Sequence, residues 1–164
     1  MSEHAKISQI GLVVRDLEKT MKTYTDLLGW GPWNVYEHKE PRLHGTHLHG
    51  KPAKYSMLCA ETMVGDLCVE LIQPLEGDNI YSEWLETHGE GFHHLALMKP
   101  TQAESDAFKT KMVDAGAELM MGGRIGETIE YYYLDTEPML KILVESGTGH
   151  AIDLKPTRVY PPQD

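Results

Sequence analysis

The chain has 164 residues, a formal net charge of −10, and 41% hydrophobic residues. This length fits one domain with a hydrophobic core, and the composition excludes a mainly disordered chain. An acidic chain without runs of Lys and Arg repels nucleic acid and anionic lipid, so we expect no nucleic acid partner. No segment approaches the length of about eighteen apolar residues that spans a bilayer. We therefore expect a cytoplasmic protein without a membrane partner.

The first half of the chain begins with a strand that leads into a helix. Residues 7–14 are rich in β-branched side chains, and Asp16 is a suitable helix N-cap. Apolar residues then recur at helical spacing as far as Gly29, which predicts an amphipathic helix that stops there. Strand-like runs follow at 33–38, 54–60 and 66–73. The first half, residues 6–75, is therefore predicted to be a βαβββ module.

The same order of elements recurs in the second half. Residues 92–98 resemble a strand, Thr101 opens a capping-box pattern, and Gly116 ends the second helix. Three more strand-like runs follow near 117–124, 127–134 and 140–146. A second βαβββ module is therefore predicted over residues 91–147.

Two shorter segments complete the chain. Residues 76–90 form a linker with a short helix at about 81–88. Residues 148–164 form a C-terminal tail, and its last nine residues, which are rich in Pro, should be held loosely. No low-complexity tract divides the sequence, so residues 1–164 are predicted to be a single domain.

The two modules also match in sequence, which indicates an internal duplication. Residues 9–13 align with residues 94–98, and residues 68–70 align with residues 143–145. This alignment makes Gln9 equivalent to His94 and Glu70 equivalent to Glu145. Each module therefore closes with an apolar strand that carries one carboxylate.

The strands that carry Glu70 and Glu145 are apolar on both faces, so both carboxylates should be buried. A buried ionised carboxylate is costly unless it is compensated, and two in one cavity also repel each other. Lys141 or Arg124 could supply the positive charge, but a divalent cation would balance both carboxylates together.

Only Cys59 and Cys68 are present, which excludes a disulfide framework and a multi-cysteine zinc site.

The repeat-related polar residues complete a candidate metal site. One nitrogen donor with mainly oxygen donors suits zinc, nickel, cobalt, manganese or iron(II), and a set short of six ligands leaves positions for a substrate oxygen. Gly11 and Ala96 lie two residues beyond proposed ligands on the same strand faces, and their small size leaves room in the cavity. The four proposed ligands are Gln9, Glu70, His94 and Glu145.

Other polar and aromatic residues could belong to a pocket. The histidine-rich segment 38–49 is predicted to be a solvated lid rather than a second metal site built from its histidines at 44, 47 and 49. The aromatic residues could line a substrate pocket, although core packing is the preferred interpretation. We expect His93 on the strand face opposite His94. The candidate pocket residues are Trp33, Arg42, His44, His47 and Tyr132.

Three stretches, IGLVVRDLEKTMKTYTDLLGW, CVELIQPLEGDNIYSEWLETHGEGFHHLAL and YLDTEPMLKILVESG, are similar to sequences of the vicinal oxygen chelate superfamily. The resemblance covers residues 6–147 and is strongest to its glyoxalase and methylmalonyl-CoA epimerase-like members. It implies an α+β fold in which tandem βαβββ modules form an incompletely closed mixed β-barrel. It further implies a homodimer and one divalent metal ion, with the ligand positions on Gln9, Glu70, His94 and Glu145.

The same resemblance implies chemistry at a carbon next to a carbonyl. Enzymes of both groups bind a carbonyl or enediolate oxygen to the metal and move a proton at the adjacent carbon. By resemblance Glu145 is the first candidate for the general base. Glu37 or Glu40 is the candidate for the second base that an epimerase needs on the opposite face. The leading hypothesis is therefore a metal-dependent epimerase or isomerase that acts on a small-molecule carbonyl compound or acyl thioester.

Three alternatives remain open from the sequence. The epimerases usually carry His where this chain has Gln9, and a Gln/Glu/His/Glu set looks more like some glyoxalase I enzymes, which favours a lactoylglutathione lyase. An extradiol dioxygenase generally needs two His and one carboxylate on iron(II). A metal-free binding or drug-resistance protein would use the same cavity, but it would have to compensate the two buried carboxylates by other means.

Overall fold

The computed structural model describes residues 6–163 of the chain. The helices within this range are α1 (Leu17–Leu28), α2 (Ile80–Thr87), α3 (Gln102–Asp114) and α4 (Glu137–Leu140), with a 3-10 turn at Ala151–Asp153. The strands are β1 (Gln9–Val13), β2 (Trp33–His38), β3 (Leu43–Leu48), β4 (Lys51–Pro52), β5 (Met57–Val64), β6 (Leu67–Pro74), β7 (Gly91–Ala96), β8 (Glu118–Ile125), β9 (Ile129–Asp135), β10 (Val144–Thr148) and β11 (Arg158–Tyr160).

All of these strands join one mixed sheet in the order β11-β2-β5-β6-β1-β7-β10-β9-β8-β3-β4. Strands β1 and β7 pair antiparallel at the centre, and each also pairs in parallel with the last strand of its own module, β6 or β10. The predicted α+β fold with two βαβββ modules is therefore confirmed, and both modules belong to one chain. Within the described residues the outer strands β11 and β4 do not pair with each other, so the sheet is not closed into a barrel.

The strand register agrees with the sequence repeat. Gly11 of β1 lies opposite Glu70 of β6, and its repeat partner Ala96 of β7 lies opposite Glu145 of β10. Across the centre of the sheet, Gln9 lies opposite Ala96. The equivalent pairings bring the polar residues of both modules to the middle of one sheet.

The two long helices begin and end where the sequence signals predict. The Asp16 side chain accepts a hydrogen bond of 3.0 Å from the backbone N–H of Lys19, and Gly29 ends α1 with a φ of 69°. Such a left-handed conformation suits Gly because Gly has no Cβ. Thr101 caps α3 by accepting a hydrogen bond from the backbone N–H of Glu104.

Three segments differ from the sequence-based prediction. Half of the segment predicted to be a solvated lid, residues 38–49, is strand β3, which pairs with β8 and buries Leu43. Strand β11 lies within the tail that was predicted to be loose and pairs with β2. Long-range strand pairing outweighs the turn-rich composition of both segments. The strand predicted near 140–146 begins only at Val144, as strand β10. The residues before it form the short helix α4, which ends at Lys141 with a φ of 63°.

The hydrophobic core lies on both sides of the sheet. Val14, Leu17 and Met21 pack with Trp33 between α1 and the first module, while a larger cluster that includes Tyr81 and residues of both modules packs on the other side. The structure contains no helix among residues 6–163 that is long and apolar enough to cross a membrane.

Candidate active site

A cavity of about 50 Å³ lies between the two modules on one face of the sheet. Gln9, Glu70 and Glu145 line it from β1, β6 and β10. His94, on the central strand β7, is fully buried beside the two carboxylates. The structure therefore brings the four proposed ligands to one place.

Three donor atoms converge at this place. Nε2 of His94 lies 2.9 Å from Oε2 of Glu145 and 3.7 Å from Oε2 of Glu70. The three residues offer ligand atoms that all lie within 4.8 Å of one another. All three atoms are buried, and none has a hydrogen-bond partner within residues 6–163. Such convergent, unpartnered donors fit a divalent cation because it would satisfy all three atoms at once.

The lysine and arginine considered from the sequence do not compensate these carboxylates. The exposed Lys141 donates a hydrogen bond from Nζ to the carbonyl of Pro138. Arg124 lies on β8 opposite Glu130 of β9. Neither side chain lines the cavity, so neither supplies the positive charge that the sequence suggested it could.

Glu61 is a third cavity carboxyl, which sequence reasoning missed. It lies on β5 directly opposite Glu70 of β6, so both side chains project from the same face of the sheet. It is 3% exposed, and burial raises the pKa of Glu61 to about 8, with a further rise from the charge of Glu145. Counting residues outward in both directions from the turn at Gly65 pairs Glu61 with Glu70, and this pairing would have identified Glu61 as a cavity residue.

His93 does not lie on the face opposite His94, as a regular strand would require. The pairing of β1 with β7 shifts register at this point, where Gly11 lies opposite His94 and the next residue of β1 lies opposite Phe92. The bulge leaves His93 unpaired and turns it toward its neighbour, so that the two Nδ1 atoms lie 3.0 Å apart. If Nε2 of His94 binds a cation, its Nδ1 carries the proton and donates to His93.

We expect the substitution His93→Phe to weaken metal binding by about 10- to 100-fold because the ring of His94 loses the acceptor that orients it. A competition titration with a chromogenic chelator would measure the affinity. His44→Phe is the matched control, since His44 is exposed and its Nε2 lies 2.9 Å from the carbonyl oxygen of Gly126 outside the cavity. Equal affinities of the two variants would contradict this role of His93.

The two residues expected to provide a second base lie outside the cavity. Glu37 is exposed and forms an ion pair of 2.8 Å with Lys39, and Glu40 is exposed and lies 3.2 Å from Lys54. Strand alternation explains the placement of Glu37, because its neighbour His38 lines the cavity and Glu37 points the other way. The structure therefore does not place either residue in the cavity, and Glu61 is a further carboxyl that lines it.

The aromatic residues predicted for the pocket belong to the core, as the preferred interpretation held. Trp33 is completely buried against α1, and its Nε1 donates to Oγ1 of Thr25 at 3.1 Å. The hydroxyl of Tyr132 donates to the carbonyl of Ser105 in α3, on the other face of the sheet. Tyr131 and Tyr133, its neighbours in the strand, line the cavity instead.

The polar residues predicted for the pocket lie on or beside the β3–β4 hairpin and its partner strand. Arg42 and His44 are exposed, while His47 is half-buried opposite Gly122 of β8. Nε2 of His49 lies 2.9 Å from Oε1 of Glu83. Within residues 6–163 these histidines form no cluster of metal-ligand atoms, and the hairpin does not contribute to the lining of the cavity.

His38 adds a pH-sensitive group to the cavity wall. Burial lowers the pKa of His38 to about 4, and the charge of Arg42 adds to the effect. In the unfolded chain His38 therefore takes up a proton at a higher pH than in the folded chain. Its contribution to stability is complete above about pH 6.5 and is lost as the pH drops toward 4.

We expect this titration to remove up to about 3 kcal/mol from the free energy of unfolding between pH 7 and pH 4. Urea unfolding at several pH values would measure the loss. His38→Phe keeps a ring that can stack on Tyr36, and it should show a smaller pH dependence than the wild type. An unchanged pH dependence in this variant would exclude His38 as the cause.

Comparison with known proteins adds the family context. Residues 8–133 match the family model of the Glyoxalase/Bleomycin resistance protein/Dioxygenase superfamily. No significant match was found among curated proteins.

Several solved structures share the fold at low sequence identity. A methylmalonyl-CoA epimerase from Mycobacterium tuberculosis is 19% identical, with a TM-score of 0.59, and the alignment covers 88% of this chain and 87% of that one. A variant of the Streptomyces coelicolor methylmalonyl-CoA epimerase in complex with 2-nitronate-propionyl-CoA is 22% identical, with a TM-score of 0.61 and coverage of 91% and 97%. A methylmalonyl-CoA epimerase in complex with methylmalonyl-CoA is also 22% identical, with a TM-score of 0.61 and coverage of 92% and 98%.

Proposed function

The chain belongs to the Glyoxalase/Bleomycin resistance protein/Dioxygenase superfamily, and we propose that it is a divalent-metal-dependent epimerase or isomerase that moves a proton at the carbon next to a carbonyl. One observation carries this proposal. Nε2 of His94 and one oxygen each of Glu70 and Glu145 converge in a buried cavity without hydrogen-bond partners among residues 6–163. Buried polar atoms are rarely left in this state without a ligand.

The proposed ligands are Gln9, Glu70, His94 and Glu145. Their neutral amide, neutral imidazole and two carboxylates together carry two negative charges, which a divalent cation would neutralise. When bound, such a cation acts as a Lewis acid that polarises a carbonyl and stabilises the negative charge that develops when the adjacent carbon loses a proton. The residues best match zinc, nickel, cobalt, manganese or iron(II) because they mix one nitrogen with oxygen donors.

The cavity also contains the groups that would handle the proton. Glu145 is the proposed general base, because its carboxylate lines the cavity and its Oε2 lies 2.9 Å from Nε2 of His94. Glu61 is the proposed second proton-transfer group, because it is the further carboxyl that lines the same cavity. The hydroxyls of Tyr81 and Tyr133, 2.9 Å apart, stay protonated because burial raises the pKa of both, and they form a neutral polar wall.

The proposed substrate is a small-molecule carbonyl compound or an acyl thioester. The buried cavity is too small for such a molecule as a whole, but it shares Cys68, Met98 and His150 with an adjoining groove of about 680 Å³. A reacting group could therefore enter the cavity while the rest of the molecule lies in the groove. The epimerases of similar fold, solved with methylmalonyl-CoA or 2-nitronate-propionyl-CoA, support this substrate class.

Metal content per chain tests the proposal first. We expect about one equivalent of a transition metal in untagged protein by plasma mass spectrometry and none in the double variant Glu70→Ala, Glu145→Ala. The double variant Glu37→Ala, Glu40→Ala is the matched control, because it removes two carboxylates that are exposed. Absence of metal from the wild type, even after reconstitution, would contradict the proposed site.

Product analysis then separates the two enzyme classes. An epimerase or isomerase should exchange the hydrogen next to the substrate carbonyl with solvent deuterium, which mass spectrometry of acyl-CoA compounds detects. A lactoylglutathione lyase should instead convert methylglyoxal and glutathione to a thioester that absorbs in the ultraviolet. The proposal predicts the first result without the second.

A further inference from the structure

The C-terminal tail, which lies beyond both βαβββ modules, crosses the candidate active site. It leaves β10 of the second module and runs to β11, which pairs with β2 of the first module. In the sheet β5, β6, β1 and β7 lie between β10 and β2, so the tail passes over their face. Residues 149–152 line the cavity as they cross. The tail therefore adds a wall to the cavity from outside residues 8–133, the part of the chain that matches the family model.

Contacts along the tail fix its course over the cavity. Gly149 has a φ of 78°, and a Cβ there would lie 2.8 Å from the carbonyl oxygen of Thr128, so only Gly suits this position. Ala151 and Leu154 pack against the larger core cluster. The backbone N–H of Thr157 then donates a hydrogen bond of 2.8 Å to β2. The tail is thus held at both ends and in the middle, and its cavity wall is a defined part of the fold.

The tail also bounds the passage between the cavity and the outer groove. Four residues line both spaces, and they form the neck of the site: Cys68, Met98, His150 and Ile152. Cys68 comes from β6 and Met98 follows β7, whereas His150 and Ile152 belong to the tail. The tail therefore supplies half of the neck.

The neck is apolar except for one side chain. A thiol, a thioether and an alkyl group form three of its four members, which suits an uncharged part of a bound molecule. His150 differs because its imidazole can both donate and accept a hydrogen bond. Its side chain is exposed where it lines the groove, and it makes no cap hydrogen bond to the 3-10 turn that it precedes. The imidazole is therefore available to a bound molecule.

From this arrangement we propose that the substrate passes through the neck, and that His150 binds the arm of the substrate there by a hydrogen bond. This inference rests on the proposed function, in which the reacting group lies in the cavity and the arm lies in the groove. The accepted class is an acyl thioester whose arm is narrow and uncharged next to the thioester and carries a hydrogen-bonding group farther out. His150 thus determines substrate binding and takes no part in the proton transfer.

Alkylation of Cys68 by iodoacetamide tests the neck without any substrate. Cys68 is 7% exposed, while Cys59 is 1% exposed and lies outside the cavity lining among residues 6–163, so Cys59 is an internal control for unfolding. Peptide mass spectrometry gives both rates at one pH. We expect His150→Ala to speed the alkylation of Cys68 at least about fivefold and His150→Trp to slow it at least about fivefold, because the side chain at position 150 limits access. His44→Ala, at an exposed histidine outside the cavity, should leave both rates unchanged.

Propionyl-CoA tests the contact with His150. Removal and return of a proton regenerates the same compound, so isothermal titration of the metal-loaded protein measures its binding, and deuterium exchange measures KM and kcat. Binding should weaken about 5- to 10-fold in His150→Ala, with a matching rise in KM and a kcat within about threefold of the wild type. His150→Gln keeps a hydrogen-bonding side chain and should stay within about threefold of the wild-type affinity. Bound propionyl-CoA should also slow the alkylation of Cys68 at least about tenfold.

The possible outcomes are distinct. Unchanged alkylation of Cys68 in both His150→Ala and His150→Trp would overturn the neck. Equal binding by the wild type and a folded His150→Ala variant would overturn the contact with His150. Binding that leaves Cys68 unprotected would show that the substrate takes another path, and the proposed function would stand. Lack of binding by protein that holds its metal would overturn the acyl-thioester class and the contact with it, while the alkylation rates would still decide whether the tail forms the neck.

Discussion

Replacing Glu145 by Gln is expected to lower turnover by about 100- to 10,000-fold while the protein stays folded. The amide occupies nearly the same volume as the carboxylate, so the packing around β10 is preserved. It keeps an oxygen that could face His94, but it cannot accept the proton from the carbon next to the carbonyl. The rate of deuterium exchange into the substrate, measured beside circular dichroism and metal content, would show the loss.

Two comparisons make this result specific. The control Glu37→Gln changes an exposed glutamate on β2 and should keep the wild-type rate. A protein that only sequesters small molecules in the cavity would lose affinity on the Glu145 substitution but would show no exchange in either form. Retained turnover in a folded Glu145→Gln variant that still holds metal would remove Glu145 from the role of base.

The centre of the site could be predicted from the sequence because strong local signals agreed there. Continuous apolar residues around Glu70 and Glu145 indicate strands buried on both faces, and isolated buried carboxylates need compensation. The repeat links these strands to Gln9 and His94. Because both modules use the same strand register, the alignment of the sequences also predicts which residues meet across the sheet.

Residues that depend on long-range pairing were harder to predict. Glu61 becomes part of the cavity only through the β5–β6 register, and its surrounding residues do not mark it as special. His93 reaches His94 through a bulge, which the alternation of side chains in a strand does not reveal. The segment 38–49 has the composition of a loop, but pairing with β8 makes residues 43–48 a strand.

The three consecutive tyrosines show how closely pocket residues depend on register. Alternation requires Tyr131 and Tyr133 to share one face and Tyr132 to occupy the other. The sequence does not state which face of β9 meets the cavity, because both faces are buried. The structure places Tyr131 and Tyr133 in the cavity and Tyr132 against α3. A shift of one residue in the strand register would exchange these two positions, so the sequence alone could not assign the pocket residue.

Gly11 provides the second large expected effect because it makes room for the proposed nitrogen ligand. The imidazole of His94 lies directly over Gly11, and a Cβ added there would come within 2.5 Å of both ring nitrogens. The φ of Gly11 is not in the left-handed region, so the requirement for Gly is steric. Ala96, the equivalent residue in the second module, faces Gln9 and tolerates a Cβ.

We therefore expect Gly11→Ala to displace the His94 ring and to weaken metal binding at least about 100-fold, a larger effect than losing a hydrogen bond to the ligand would have. Crowding in a packed core should also cost about 1–3 kcal/mol of stability. Competition titration would measure the metal affinity, and urea unfolding of the metal-free protein would measure the stability.

Gly29→Ala separates these two effects. Gly29 ends α1 in a left-handed conformation with open space around its Cα, so Ala there should cost about 1 kcal/mol through backbone strain alone and should leave metal affinity unchanged. Wild-type metal affinity in a folded Gly11→Ala variant would show that His94 holds no metal through the ring position seen here. Loss of affinity in Gly11→Ala alone would instead tie this glycine of the central strand β1 directly to the metal site.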